Sequence, residues 1–248
     1  MIRQPPVPTR AMTTLVPAWM PPTNIRYWKS VARKAFDAML CDSSVPMLPF
    51  GKDNVWQLYA RSLGVDSVVL SGGVGKEITT ELELIEAFGC HIDLFDPSPT
   101  GAETMAQEDN THPRLDFYPM GLAGQSGEVG FSQPVNASEG SFTINHDSES
   151  VQFPCTSLSD FANQQGYQEI ELIKLDIEGF EYDVIEDMLR NGPPVNQFCI
   201  EFHHFEAHIS WRQTAQSLKL LGEAGFQLVH KVGTDYTLLH TQRLGLTG

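Results

Sequence analysis

Basic residues are scarce in this chain: 31 acidic side chains stand against 16 basic ones, a formal charge of -15 over 248 residues, and no basic cluster offsets it. A nucleic-acid backbone would be repelled, so no nucleic-acid partner is expected. Cysteine is sparse too. The four thiols, at positions 41, 90, 155 and 199, show no metal-type Cys-x-x-Cys spacing. Two of them flank predicted core strands, and all are read as reduced and structural. No segment has the apolar length of a membrane span, and the N-terminus lacks the basic-then-apolar layout of a signal peptide. A soluble cytoplasmic protein with no membrane partner is the expectation.

Two phosphate-binding signatures are also missing. A P-loop needs Ser or Thr after Gly-Lys and a glycine five positions earlier, but Gly75-Lys76 is followed by Glu77 and preceded at that distance by Leu70. A dinucleotide fingerprint needs a third glycine three positions after Gly75, and that position is Ile78. A pyrophosphate cofactor is disfavoured on both counts.

What is present around those positions is a strand, a glycine turn, a helix, a second strand and an acid. Val68 to Leu70 is a short apolar run suited to a buried parallel strand, and Gly72, Gly73 and Gly75 permit a turn too tight for side chains. Between Lys76 and Phe88 the apolar residues Ile78, Leu82, Ile85 and Phe88 recur at helical spacing, and Gly89 closes the helix. His91 to Phe95 is the next strand. Asp96 ends it, about 20 residues beyond the glycines, where nucleotide-binding sheets hold a ribose. A nucleoside ligand without a phosphate bridge fits this pattern, and S-adenosylmethionine is the commonest such cofactor.

With 41% hydrophobic and 19% charged residues the chain can bury one full core. The proline-rich stretch 1–23 is expected to be an arm. Residues 24–64 are expected to form helices that cover or lid the sheet. In the first of these, Trp28, Val31, Ala32, Ala35, Phe36, Met39 and Leu40 share one face behind an Asn24 N-cap, and the second runs from Asn54 to Leu63. Residues 65–248 form the main domain. Beyond Asp96 the pattern predicts a strand at Phe117 to Leu122, a hairpin strand at Glu128 to Phe131 and an antiparallel excursion within Gln133 to Gln152. It then predicts a helix at Leu158 to Gln165, a strand at Ile170 to Leu175 ending in Asp176-Ile177-Glu178-Gly179, and a helix burying Val184, Ile185 and Met188. A strand at Gln197 to Phe202 and a helix at Trp211 to Ala224 follow. Phe226 to Val232 and Tyr236 to His240 stand too close for a parallel crossover, so the last strand must be antiparallel. A mostly parallel Rossmann-like α/β sheet with helices on both faces and a terminal antiparallel hairpin is the architecture of class I S-adenosylmethionine-dependent methyltransferases.

Ser71-Gly72-Gly73-Val74-Gly75, Gly89-Cys90-His91 through Asp96-Pro97, Lys174-Leu175-Asp176-Ile177-Glu178-Gly179-Phe180-Glu181 and Ile200-Glu201-Phe202-His203 resemble the FkbM-type methyltransferases over roughly Gly51 to His240. The Lys-x-Asp-x-Glu-Gly-x-Glu segment is the most specific. One difference is visible: family members commonly carry an acid where this chain has Ser71. The resemblance implies that Ser71, Gly72, Gly73 and Gly75 lie against the methionine end of the cofactor, that Asp96 with Pro97 holds the ribose, and that Met120, Gly121 and Leu122 border adenine. The transferred methyl would lie near Asp176.

Four separated positions, Ser71, Asp96, Asp176 and His203, are predicted at the carboxyl ends of strands, where open α/β sheets bind ligands. Methyl transfer to a hydroxyl needs alignment and benefits from a base, for which Asp176, Glu178 and His203 are the candidates. Glu181 reads as a first-turn acid. Asp176, Glu178, Glu201 and His203 also offer oxygen-rich ligation suited to Mg²⁺ or Mn²⁺, whereas His203-His204-x-x-x-His208 lacks the zinc-binding helical arrangement. The expected activity is O-methylation of a sugar, glycoconjugate or small natural product. A nicotinamide-dependent oxidoreductase and a non-catalytic nucleoside-binding protein are the alternatives.

Overall fold

The computed structural model describes residues 45–132, 142–144, 150–205 and 209–246. Every described residue belongs to one compact unit, Asp37–Gly248. The expected arm over 1–23, the helix beginning at Asn24 and His208 lie outside the described residues.

In chain order the elements are β1 (Leu48–Phe50), β2 (Trp56–Leu58), β3 (Val68–Gly72), α1 (Thr79–Phe88), β4 (His91–Phe95), α2 (Pro99–Met105), β5 (Leu115–Tyr118), β6 (Gly121–Ala123), β7 (Gly127–Ser132), β8 (Thr143–Ile144) and β9 (Val151–Ser157). They continue with α3 (Leu158–Gln165), β10 (Ile170–Leu175), α4 (Glu181–Asn191), β11 (Val195–Glu201), α5 (Trp211–Glu223), β12 (Phe226–Val232) and β13 (Asp235–His240). Seven strands form the central sheet in the order β12-β13-β11-β10-β3-β4-β5. Strands β5, β4, β3, β10 and β11 run parallel, while β13 pairs antiparallel with β11 and with β12, the latter as the two-residue Gly233-Thr234 connection requires.

Both faces of this sheet are covered, and the strands divide their side chains between two cores with period two. Leu70, Ile173 and Leu175 join the cluster that contains Val184, Ile185 and Met188 of α4, whereas Val69, Ile92, Leu94 and Leu172 join the one holding Leu84 and Ile85 of α1. Each such side chain, fully removed from water, contributes on the order of 1.5–3 kcal/mol. Register then positions the site. Leu175 pairs with Gly72 and with Ile200, and Gly72 pairs with Phe95, so the carboxyl ends of β10, β3, β4 and β11 finish level.

Three expectations need correction. Residues 54–63 are not a helix: Trp56–Leu58 is a strand paired antiparallel with Leu48–Phe50 and flanked by 3-10 turns. Tertiary bonds decide this. Tyr59 N donates to Gln197 Oε1 at 3.2 Å and Thr237 Oγ1 donates to the Gln57 carbonyl at 2.7 Å, which holds the segment extended against the sheet. Trp56 and Leu58 are buried on its inner side. Secondly, Phe117 to Leu122 is two strands, β5 and β6, broken at Pro119, which has no amide to donate to a ladder. Thirdly, α1 starts at Thr79, and the three residues after Gly75 belong to the turn.

The excursion after Asp96 is larger than expected. Strands β6, β9, β7 and β8 form a second, four-stranded sheet, with β7 antiparallel to β8 and β9, and β9 parallel to β6. Its Phe131 ring lies 4.7 Å from that of Phe180 at the start of α4, so the small sheet is seated beside the level strand ends.

Candidate functional site

The turn after β3 is held open by two kinds of constraint. Gly73 and Gly75 have φ of 93° and 56°, the left-handed region that favours glycine. A Cβ on Gly73 would overlap the Asp176 carbonyl oxygen, whereas one on Gly75 would meet nothing within 4 Å. Asp96 supplies the second constraint: Oδ2 accepts from Val74 N at 2.9 Å and Gly75 N at 3.2 Å, and Oδ1 accepts from Ser98 N at 2.7 Å. The acid at the end of β4 thus fastens the glycine turn to the start of α2.

Above these groups lies a cavity of about 280 Å³. Of the residues singled out in the sequence, Gly73, Gly75, Asp96, Pro97, Gly121, Leu122, Asp176 and Glu178 line it. Ser71, Gly72 and Met120 do not. Ser71 is buried beneath the turn with its hydroxyl donating to Glu81 Oε1 at 2.6 Å, and a Cβ on Gly72 would run into Leu122. Met120 packs against the main core. Sequence reasoning missed Trp56, Glu81, Phe131, Phe142, Lys174 and Phe180 in the lining.

Glu81 answers the absence of an acid at Ser71. It comes from the second residue beyond the start of α1, is 3% exposed, and stands 3.2 Å from Lys174 Nζ. Burial opposes the charge on Lys174, but the carboxylates of Glu81, Asp176 and Glu77 overcome it and push the ammonium pKa up. Trp56 lies against the same ammonium, 5.1 Å from ring centroid to Nζ. A buried ion pair therefore forms part of the cavity wall.

A second cavity, of about 310 Å³, shares Trp56, Glu77, Thr80 and Asp176 with the first and adds Lys52, Asp53, Val55 and Glu201. Glu201 faces this side of the sheet, accepting from Thr234 Oγ1 at 3.1 Å. Burial raises its pKa, with nearby Asp176 acting in the same direction.

His203 closes the group. It is 3% exposed, with Nδ1 2.7 Å from Glu181 Oε1 and Nε2 3.3 Å from Glu178 Oε2 and 3.7 Å from Asp176 Oδ1. Burial lowers its pKa, but the hydrogen bond and charge of Glu181, joined by Glu178 and Asp176, outweigh that and push it up to about 9. With no cation beside it, the imidazole therefore keeps both ring protons through neutral pH, unlike a histidine at its ordinary pKa of 6.5. Glu181 is more than a first-turn acid: it is fully buried, and the amides of Ile177 and Gly179, each at 3.2 Å, converge with His203 on its Oε1. The Asp176–Gly179 turn is thereby wrapped around that carboxylate, with Glu178 at φ 53°. Asp235, opposite Glu201 in the sheet, has its pKa pushed up to about 7 by burial and by Glu201 and Asp176.

A parallel sheet closed by an antiparallel hairpin, with a glycine turn, a strand-end acid and a cavity over the level strand ends, is a class I methyltransferase sheet. The model of the methyltransferase FkbM domain matches residues 74–228, more than half of the chain, and the chain belongs to that family. Among curated proteins no sequence matches it. Among solved structures, it is similar to the Methanococcus jannaschii fibrillarin pre-rRNA processing protein, at 8% identity and TM-score 0.39, with 71% of this chain and 67% of that one covered. It is also similar to a Streptococcus mutans protein described as a methyltransferase and solved in complex with SAH, at 8% identity and TM-score 0.39, covering 71% and 88%. Among the described residues no helix is long and apolar enough to cross a membrane, and Cys90, Cys155 and Cys199 are buried free thiols.

Proposed function

We propose that this chain is an S-adenosylmethionine-dependent O-methyltransferase whose acceptor is a hydroxyl of a sugar, a glycoconjugate or another small molecule. The observation that carries the reading is the meeting of the two cavities at Asp176, one bounded by the glycine turn and the other by polar side chains.

The first cavity fits the cofactor. The open space over Gly75 leaves room for a ligand against the backbone, and Asp96 at the end of β4 presents a carboxylate to a ribose there. Gly121 and Leu122 with the Phe131 and Phe142 rings form an apolar wall suited to adenine, and Lys174 with Glu81 offers opposite charges for the methionine carboxylate and ammonium. Bound there, S-adenosylmethionine supplies a methyl carbon already activated by its sulfonium, so that the C–S bond breaks, its electron pair staying on sulfur, as the acceptor O–C bond forms.

The remaining work belongs to the protein. Asp176 lines both cavities and takes the proton that leaves the acceptor hydroxyl. His203, oriented by Glu181, stands against Asp176 and Glu178 and fixes their direction. The second cavity, rimmed by Asp53, Glu77 and Glu201, accepts hydrogen bonds from a polyhydroxylated acceptor. Ile78, buried at 1% exposure where a dinucleotide fold needs its third glycine, weighs against the nicotinamide alternative.

The test is transfer of labelled methyl from S-adenosylmethionine to a panel of hydroxylated acceptors, sugars and glycosides included, by the wild type and Asp176→Asn. The reading expects product with at least one hydroxyl acceptor and a fall of about 10²–10⁴-fold in the variant with cofactor affinity nearly unchanged. Transfer only to amines, or an unaffected variant, would overturn it.

A further inference from the structure

Asp176, Glu178 and His203 form a compact set of ligand atoms, all within 4.8 Å of one another. Behind the imidazole stands Glu181, fully buried, which fixes Nδ1 as the donor and turns Nε2 toward the two carboxylates. A carboxylate oriented behind an imidazole in this way is the usual support of a metal-ligating histidine. We infer that these three side chains bind a divalent first-row transition metal beside Asp176, where the two cavities meet, the Nε2 proton of His203 leaving to solvent as the ion enters.

Geometry supports this beyond the presence of acids. Metal–ligand distances of about 2.0–2.2 Å place neighbouring ligand atoms about 3–3.4 Å apart. Nε2 lies 3.3 Å from Glu178 Oε2 and 3.7 Å from Asp176 Oδ1, so small side-chain adjustments bring all three onto one ion. The backbone is shaped to the same end. Glu178 holds φ 53°, a conformation that costs a non-glycine residue energy, and the Ile177 and Gly179 amides on Glu181 maintain it. Charge agrees as well. Asp176, Glu178, Glu181, Glu201 and Asp235 gather around one imidazole, and a divalent ion would relieve their mutual repulsion. One nitrogen and two carboxylates favour Mn²⁺ or Zn²⁺ over Mg²⁺, and three protein ligands leave positions open toward the cavities.

The inference rests on the methyltransferase reading for its meaning: the ion would hold the acceptor oxygen beside the methyl donor, leaving the second Asp176 oxygen for the proton. It names the acceptor class more closely, as molecules with two neighbouring oxygens able to chelate. The existence of the site can be tested without turnover.

Chelator-stripped full-length protein is titrated with Mn²⁺, the free ion being read by electron paramagnetic resonance, with Zn²⁺ competition, and thermal unfolding is followed in parallel. The wild type is expected to take up one Mn²⁺ per chain at micromolar concentration, to release it to Zn²⁺, and to unfold at a higher temperature when loaded. Glu178→Gln should weaken binding at least tenfold, and Glu181→Gln by about 10–100-fold through the imidazole it orients. Asp176→Asn, at a more exposed side chain, serves if either glutamate variant fails to fold, and should again lose at least tenfold. Asp109→Asn, at an exposed acid in the 3-10 turn Glu108–Asn110 and outside this group of ligand atoms, should bind as the wild type does. No uptake of either ion up to millimolar concentration, or uptake untouched by Glu178→Gln and Asp176→Asn, would overturn the site. A parallel titration with S-adenosylhomocysteine in excess chelator separates the two readings: the homocysteine ligand bound without the metal site leaves the methyltransferase reading standing and this inference refuted, and the converse refutes only the former.

Discussion

His203 Nδ1 and Glu181 Oε1 lie 2.7 Å apart, both side chains almost completely removed from water. This pair ties the end of β11 to the first turn of α4 and makes the Asp176–Gly179 turn a rigid part of the cavity wall.

The pair has a pH signature in chelated protein. His203 is pushed from an ordinary 6.5 to about 9 in the folded state, so its contribution is fully present below pH 6.5 and is lost as pH rises through 9. At about 1.4 kcal/mol per unit, that contribution is about 3 kcal/mol at pH 6. Glu181→Gln should abolish most of it. Denaturant unfolding of the two proteins is expected to differ by several kcal/mol at pH 6 and by distinctly less at pH 9.5, and a gap independent of pH would contradict the assignment.

Glu81 and Ser71 separate in the same kind of experiment. Glu81→Ala leaves Lys174 charged and unpaired in the interior, a loss of about 3–5 kcal/mol, together with weaker cofactor binding. Ser71→Ala removes one hydrogen bond of about 1 kcal/mol from a residue outside the cavity and should leave S-adenosylhomocysteine affinity within a few-fold of wild type. Calorimetry on both variants checks the difference.

Asp96→Ala should lower stability and affinity together. The carboxylate satisfies three backbone amides of the glycine turn and of the N-terminal side of α2, so its removal is expected to cost about 2–4 kcal/mol in unfolding free energy, besides the loss of the ribose contact proposed above. An unaltered denaturation midpoint would show that the turn holds itself.

Gly73→Ala and Gly75→Ala probe the turn from opposite sides. The first drives a Cβ into the Asp176 carbonyl in a left-handed backbone, and is expected to destabilise by more than about 2 kcal/mol. The second has open space and should cost only about 1 kcal/mol of strain while filling part of the cavity and weakening the ligand at least tenfold. Thermal unfolding with and without S-adenosylhomocysteine distinguishes them.

Strands β3, β4 and β10 were legible because both their faces are buried, so Val68-Val69-Leu70, His91 to Phe95 and Ile170 to Leu175 read as apolar runs between glycine or acidic stops. Asp96 and Asp176 followed from that rule, since they stand one residue past a buried strand. The segment 54–63 reads as a helix because Trp56, Tyr59, Ala60 and Leu63 satisfy a helical face about as well as Trp56, Leu58 and Ala60 satisfy an extended one, and only the bonds to Gln197 and Thr237, more than 130 positions away, decide between them. Glu81 and Glu181 escaped for a related reason. A carboxylate inside a helical pattern reads as solvated, and its burial depends on a partner, Lys174 or His203, that the sequence places on another strand. Phe131 and Phe142 reach the cavity through the small sheet, whose connection to the strand ends has no local signal.

The most direct measurement is a calorimetric titration of the full chain with S-adenosylhomocysteine, with NADH as comparator and Gly75→Ala as control. Binding at micromolar or lower concentration, about -8 kcal/mol or more favourable, weakened in the variant and absent for NADH, is the predicted result. Binding of NADH alone, or of neither ligand, would contradict a cofactor site over the Gly73–Gly75 turn.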